Sequence, residues 1–147
     1  MSELKKALFW KKEKENKVKC NACNRNCLIS EGKVGVCRVR KNIKGELFSL
    51  VYGRTLTLEV DPIEKKPLFH FKPGTQCLGV STYGCNFSCL HCQNYHISQQ
   101  FTEEMIERTS YTSPKEIVEK TLEEGVPGIA YTYTEPTIFI EYALDKM

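Results

Sequence analysis

Residues 78–92 read LGVSTYGCNFSCLHC, a short apolar run that leads directly into three closely spaced cysteines. The first five residues, 78–82, have the composition of a buried strand. The three cysteines, Cys85, Cys89 and Cys92, follow in the spacing C-x3-C-x2-C. A strand that ends in a loop of chemically active side chains is typical of α/β folds, in which sites form at the carboxyl ends of strands.

The residues after this loop predict a helix, a strand and a second helix. Ser113 has the features of an N-cap, with Pro114 at the first helical position and Glu116 completing a capping box. Gly125 marks the end of that helix. Residues 128–133 predict a strand and residues 137–147 a helix. The order of these elements predicts an α/β architecture, either a βα barrel or an open sheet.

Upstream of residue 78 the patterns indicate a small β module. Residues 36–40, 46–51 and 54–60 predict strands, and the lysine-rich start predicts a helix with Leu4 and Leu8 facing inward. Two prolines within residues 61–67 argue against regular structure there. We therefore expect three parts: a cysteine-rich β module over 1–60, a linker over 61–76, and the α/β part over 77–147.

Charge and hydropathy exclude several classes of protein. The 147 residues contain 21 Lys and Arg against 18 Asp and Glu, and no dense basic run, so a nucleic-acid partner is not indicated. No stretch is apolar for 18 residues, and the N-terminus lacks the apolar core of a secretory signal, so neither a membrane span nor export is predicted. We expect a cytoplasmic protein whose eight cysteines are reduced and serve metal or redox chemistry.

The three cysteines of the 85–92 loop have a spacing suited to an iron–sulfur cluster. Three thiolates from one loop can hold three irons of a [4Fe–4S] cube and leave the fourth iron open to a small molecule. The alternative is a structural zinc site, which requires four ligands. The fourth ligand would then come from Cys77, His91 or His96.

A second group of cysteines lies near the N-terminus, in the spacing C-x2-C-x3-C-x9-C: Cys20, Cys23, Cys27 and Cys37. Four thiols complete either a structural zinc site or an auxiliary [4Fe–4S] cluster, and the spacing does not distinguish them. Unligated thiols are the third possibility. Cys77 stands apart from both groups and is expected to be a buried apolar thiol.

The loop and its flanks resemble the radical S-adenosylmethionine (radical SAM) superfamily. DPIEKKPLFHF at 61–71, GCNF at 84–87, CQN at 92–94 and ISQ at 97–99 are similar to the radical SAM enzymes of the AmmeMemoRadiSam system, which are often compared with pyruvate formate-lyase activating enzymes. The resemblance covers nearly the whole chain. It assigns Cys85, Cys89 and Cys92 to the cluster and places His91, in the position of the usual aromatic residue, against the adenine of SAM.

Residues 132–136, TYTEP, resemble the GGEP motif with which radical SAM proteins contact SAM. Glu135 and Pro136 match the motif, while Tyr133 and Thr134 occupy the glycine positions. The resemblance implies that Thr134, Glu135 and Pro136 bind the cofactor, with the carboxylate paired to its ammonium group. From the residues alone, Glu135 is also an ordinary acid at a helix start.

The resemblance implies an enzyme that cleaves SAM reductively to methionine and a 5′-deoxyadenosyl radical. The radical removes hydrogen from an unknown substrate, for which a protein is one candidate. Such an enzyme needs a one-electron donor of the flavodoxin or ferredoxin type. The implied fold is the first βα units of a partial (βα)6 barrel, for which residues 78–147 supply only about two units. An inactive truncated fragment and a non-catalytic zinc-binding module are the alternatives.

Overall fold

The computed structural model describes residues 4–147, and its strands are short. In chain order they are β1 (Lys5–Lys6), β2 (Trp10–Lys12), β3 (Val18–Cys20), β4 (Leu28–Ile29), β5 (Arg40–Ile43), β6 (Glu46–Ser49), β7 (Thr57–Pro62), β8 (Gln76–Ser81) and β9 (Ile129–Tyr131). The α-helices are α1 (Tyr95–Ser98), α2 (Glu103–Arg108), α3 (Pro114–Glu123) and α4 (Ile140–Leu144). Two 3-10 helices, Ile63–Lys65 and Pro136–Phe139, complete the described elements.

The N-terminal half consists of two antiparallel three-stranded sheets, with the strand orders β1-β6-β5 and β2-β3-β4. The helix predicted for the lysine-rich start is wrong, because β1 pairs with β6 and β2 pairs with β3. Leu4 and Leu8 are correspondingly exposed rather than packed inward. The strand predicted at 46–51 is confirmed as β6, whereas the strand predicted at 36–40 begins only at Arg40.

The third sheet has the order β7-β8-β9 and carries the elements predicted around residue 78. The strand predicted at 78–82 is confirmed as β8, and the strand at 128–133 is confirmed as β9. The capping box of α3 is also confirmed, with the Glu116 amide donating to Ser113 Oγ at 3.2 Å. The predicted C-terminal helix is divided into the 3-10 helix Pro136–Phe139 and α4.

The prediction of the first βα units of a partial (βα)6 barrel is wrong. The described residues, 4–147, form small antiparallel and mixed sheets, and the helices are short. One edge of β8 pairs antiparallel with β7, from Thr57 opposite Ser81 to Pro62 opposite Gln76, so only its other edge takes a parallel neighbour, β9. The division into 1–60, 61–76 and 77–147 stays a prediction, although the middle segment includes the end of β7 and the start of β8.

The two cysteine groups are brought together by a shared core and a buried ion pair. Val39 and Leu50 from the N-terminal half pack in one cluster with Phe101 and Phe139. The guanidinium of Arg40 in β5 donates to Glu141 in α4 at 2.8 and 3.1 Å, and the two side chains are 2% and 0% exposed. Buried charges of this kind are tolerated only when paired. Across residues 4–147, no helix has the length and hydropathy that crossing a membrane requires.

Candidate metal and cofactor site

The loop after β8 folds back on itself, and this places its three cysteines. The Gly84 amide donates to the Ile97 carbonyl at 3.0 Å, and the Gln99 side-chain amide donates to the Phe87 carbonyl at 2.7 Å. Helix α1 forms the returning arm. Within the loop, the Phe87 amide donates to Cys85 Sγ at 3.4 Å, so the first thiol is held by the turn that follows it.

Gly84 positions the loop against the N-terminal module. Its φ of +93° lies in the left-handed region, where a side chain is strained. A Cβ atom there would lie 2.5 Å from Val39 Cγ1 and 2.8 Å from the Cys37 carbonyl oxygen. The residue before Cys85 must therefore be glycine both for its backbone angle and for this close approach.

The three cysteines of the loop line an open cleft of about 520 Å³. Cys89 is exposed, while Cys85 and Cys92 are half-buried. The opposite side of the cleft is formed by the residues that follow β9, including Thr134 and Glu135. The structure thus brings the three predicted cluster ligands and two of the predicted SAM-binding residues to one cleft.

The donor set and the size of the cleft fit a cluster with a small cofactor. Thiolates are the preferred ligands of iron–sulfur clusters, and small-molecule sites occupy about 300–1,000 Å³. Among residues 4–147, no three Cys, His, Asp or Glu side chains are arranged as ligands of one ion, so the thiols would have to turn toward a common point. The exposure of Cys89 leaves it free to do so.

The turn after β9 has an unusual backbone. Tyr133 has a φ of +67°, a conformation that favours glycine, and it stands where the GGEP motif has a glycine. The Thr134 amide donates to the Thr132 carbonyl at 2.8 Å, and the Thr134 hydroxyl donates to the Thr82 carbonyl at 3.0 Å. The bulky residues therefore keep a glycine-like turn that is tied to the start of the cysteine loop.

Asp61 anchors this turn from the neighbouring strand, and sequence reasoning missed it. Its carboxylate accepts from Lys65 Nζ at 2.6 Å, from Lys66 Nζ at 2.7 Å and from the Tyr133 hydroxyl at 2.8 Å. Hydrogen bonds from Lys65 and then Lys66 hold the pKa of Asp61 well below its usual range. Lys66 is nearly buried in this network, with a side chain that is 7% exposed.

The remaining predicted SAM contacts differ in position. Glu135 Oε1 accepts from the Thr137 amide at 3.1 Å and from the Thr137 hydroxyl, so the carboxylate does cap the following 3-10 helix as the alternative held. Glu135 also lines the cleft. Pro136 opens that 3-10 helix and is not part of the cleft lining, and His91 is exposed and outside it.

The N-terminal cysteines meet at a second, much smaller cavity of about 10 Å³. It is lined by all four predicted ligands: Cys20, Cys23, Cys27 and Cys37. Burial raises the pKa of the Cys20 thiol, and it raises that of Cys37 to about 11. Arg25 and Asn86 also line this cavity, and Arg25 Nε donates to the Asn86 carbonyl at 3.0 Å, so the loop of the first site contacts the second.

Cys77, His70 and His96 lie outside the cleft. Cys77 is confirmed as a buried thiol, 3% exposed, with Sγ 3.7 Å from the Asp61 carbonyl oxygen. His70 and His96 are exposed side chains, and neither lines the cleft. None of the candidates for a fourth zinc ligand lines the cleft: Cys77, His91 and His96 all lie outside it.

The chain is similar to an archaeal protein of greater length. It is 49% identical over 142 residues to Uncharacterized protein MJ0808 of Methanocaldococcus jannaschii. The match covers 97% of this chain and 42% of that relative, so the chain spans less than half of its length. No family model matches the chain, and no solved structure matches it.

Proposed function

We propose that the chain carries the cluster-binding and SAM-binding part of a radical SAM oxidoreductase or activase. The observation that supports this is the lining of one cleft by Cys85, Cys89 and Cys92 together with Thr134 and Glu135. The two groups come from different segments, one after β8 and one after β9. The cysteines were expected to bind the cluster, and Thr134 and Glu135 were expected to bind SAM beside it. The distance between the two groups in the sequence does not require them to lie close together in space.

Each side chain of the cleft has a distinct proposed role. The three thiolates would hold three irons of a [4Fe–4S] cluster and leave one iron for the amino and carboxylate groups of SAM. When bound, these two groups supply the reductive cleavage of SAM and the hydrogen abstraction that depends on it. The carboxylate of Glu135 is available to the ammonium group of SAM, a charge-assisted contact.

The protein's further contribution is orientation. The hydrogen bond from Tyr133 to Asp61 and that from Thr134 to the Thr82 carbonyl fix the turn that carries Glu135. Lys65 lines the cleft beside this turn and is paired with Asp61. A site whose contact groups are held before the ligand arrives loses less entropy when it binds.

Partners and location follow from the same proposal. The exposed edge of the loop, where Cys89 and the fully exposed Leu90 lie, is accessible to a one-electron donor of the flavodoxin or ferredoxin type. The substrate, for which a protein is one candidate, is left open. All eight cysteines are free thiols, and we propose the reducing cytoplasm as their setting.

Anaerobic reconstitution of the full chain with iron and sulfide tests the proposal. We expect a brown protein with broad visible absorption, and formation of 5′-deoxyadenosine after addition of SAM and dithionite. Cys89→Ala should lose both properties, while Cys77→Ala, which removes a buried thiol outside the cleft, should keep them. A colourless protein with bound zinc would support the zinc-binding module instead, and a brown protein without 5′-deoxyadenosine would support an inactive fragment.

A further inference from the structure

We propose that Cys20, Cys23, Cys27 and Cys37 hold a single zinc ion, which fastens the N-terminal β module to the loop of the three-cysteine cleft. The proposal does not depend on the function proposed for that cleft. It chooses between the two metals that the cysteine spacing leaves open, zinc and an auxiliary iron–sulfur cluster. The choice rests on the cavity, on its charged lining and on its contacts.

The four thiols come from three segments of the chain and line one cavity, and within residues 4–147 they would have to turn toward a common point to bind one ion. Cys20 is the last residue of β3, and its amide donates to the Cys27 carbonyl at 2.9 Å. Cys23 and Cys27 flank a tight turn in which the Asn26 amide donates to the Cys23 carbonyl at 3.2 Å. Cys37 arrives from the segment before β5, and all four are free and line the same cavity.

The size of this cavity favours one ion over a cluster. Its volume of about 10 Å³ is that of roughly one water-sized sphere. A zinc ion bound to four sulfurs at about 2.3 Å needs no more space than this between them. A cube of four irons and four sulfides would have to displace Cys20 and Cys37, which are buried in the hydrophobic clusters of Val18 and Val39.

The lining of the cavity offers a thiolate-bound ion one cation and one hydrogen-bond donor. Zinc with four thiolates carries two net negative charges, and buried charge must be compensated. Arg25 and Arg40 both line the cavity, but the charge of Arg40 is already paired with Glu141, so Arg25 is the cation available to the thiolates. The Nη atoms of Arg40 are bound to Glu141 and to the Leu8 carbonyl, but its buried Nε has no partner among the described residues.

One buried donor at this cavity, Arg40 Nε–H, has no partner among the described residues, and a bound thiolate would satisfy it. The Arg40 Nε–H is a donor, and a metal-bound thiolate is a stronger acceptor than a neutral thiol. Buried polar atoms without partners are rare in native proteins, and a bound ion is among their known explanations.

The site would also control the neighbouring loop. Asn86 follows Cys85 directly, its side chain lines the four-cysteine cavity, and its carbonyl accepts from Arg25, which lies between Cys23 and Cys27. An ion that fixes the turn over 23–27 would therefore fix Arg25 and, through it, one end of the cysteine loop. Small β modules with little core commonly depend on such an ion for folding.

Metal content of the full chain, purified with zinc present, tests the assignment. We expect about one zinc per chain in the wild type and in the triple variant Cys85→Ser, Cys89→Ser, Cys92→Ser, since structural sites of this type take a single ion. The double variant Cys23→Ser, Cys27→Ser should lose it; both side chains are half-buried, so serine does not open the core. Cobalt in place of zinc should give the visible absorption of a tetrahedral thiolate site in the wild type and in the triple variant, but not in the double variant.

A conservative variant separates loss of a ligand from loss of the fold. Cys23→His should keep the ion, with the thiolate-to-cobalt absorption reduced to about three quarters of that of the wild type. Cys77→Ser should keep both the ion and the full absorption. Iron with sulfide in the triple-serine variant, no metal in that variant, or zinc retained by Cys23→Ser, Cys27→Ser would each overturn the zinc assignment.

Discussion

The four-cysteine cavity and the three-cysteine cleft are neighbours with opposite character. The cavity encloses about 10 Å³ and contains two buried thiols, Cys20 and Cys37. The cleft is open, holds about 520 Å³ and exposes Cys89. A closed site with four ligands has no position for a substrate, whereas an open site with three ligands keeps one. As proposed, the same residue type therefore serves structure in one place and chemistry in the other.

The contrast extends to the groups around each site. Within residues 4–147, the closed cavity has one cation without a buried partner, Arg25, and the unpartnered Nε–H of Arg40, whose charge is paired with Glu141. The open cleft has one carboxylate, Glu135, and one lysine, Lys65, and the lysine is already paired with Asp61. Glu135 is thus the charge in the cleft that is available to a cationic group of a ligand. The two sites meet at Gly84 and Asn86, and changes there and in the core beneath should show how far one depends on the other.

The largest effect is expected from Glu141→Gln, which breaks the ion pair behind the closed cavity. The change leaves the buried guanidinium of Arg40 without its counter-charge, and loss of one partner of a buried pair costs about 3–5 kcal/mol. Urea unfolding of both proteins measures the difference. Glu46→Gln is the matched control, because its pair with Lys6 is exposed and should contribute less than about 1 kcal/mol. Equal effects of the two changes would contradict a buried pair.

A smaller effect is expected from Gly84→Ala, at the contact between the two sites. The new Cβ would collide with Val39 and with the Cys37 carbonyl, and the positive φ adds strain, so we expect a loss of about 3 kcal/mol in the free energy of unfolding. Gly74→Ala separates the two causes, because Gly74 has a φ of +76° but nothing within 4 Å of the added atom. It should cost only about 1 kcal/mol.

Metal analysis of Gly84→Ala then sharpens the comparison. If the two sites share this contact, the variant should lose zinc from the closed cavity as well as iron from the open cleft. Retention of the full zinc content with loss of iron would show that the closed site is independent of the loop. The Gly74→Ala protein should retain both.

Local signals in the sequence predicted the parts of this molecule that depend on nearby residues. The capping box of Ser113 and Glu116 and the strand after residue 78 needed no distant partner to be identified. The cysteine spacings also predicted which thiols line a common cavity. These are features that a few neighbouring residues determine through turn geometry and capping.

Pairing between distant segments escaped prediction. No strand was predicted at Pro62, because proline argues against a strand. Proline is tolerated at this position because it is the last residue of β7, an edge strand that pairs on one side only. The contact of Asp61 with Tyr133 joins residues far apart in the sequence. The spacing of Asp61 and Lys65, four residues apart, was the one local sign of that network.

A smaller effect again is expected from Asp61→Asn, which loosens the turn at the open cleft. The change removes the counter-charge of Lys66, which is nearly buried, and weakens the hydrogen bond from Tyr133. We expect the free energy of unfolding to fall by about 2 kcal/mol at neutral pH. Because the lysines hold the pKa of Asp61 below its unfolded value, the carboxylate stabilises the fold above about pH 5, and this contribution is lost as the pH falls toward the folded-state pKa. The difference in stability between wild type and variant should therefore shrink below about pH 4.

Tyr133→Phe distinguishes the carboxylate from the hydroxyl that it holds. This variant keeps both ion pairs of Asp61 and loses only the hydroxyl, so it should cost about 1 kcal/mol, with a pH dependence close to that of the wild type. Both variants should weaken SAM binding to the reconstituted protein while leaving its iron content unchanged, because they act on the turn that carries Glu135 and not on the cysteine loop. Loss of iron from either variant would show instead that Asp61 supports the whole cleft, and the open site would then be as dependent on its buried charges as the closed one is on Arg40.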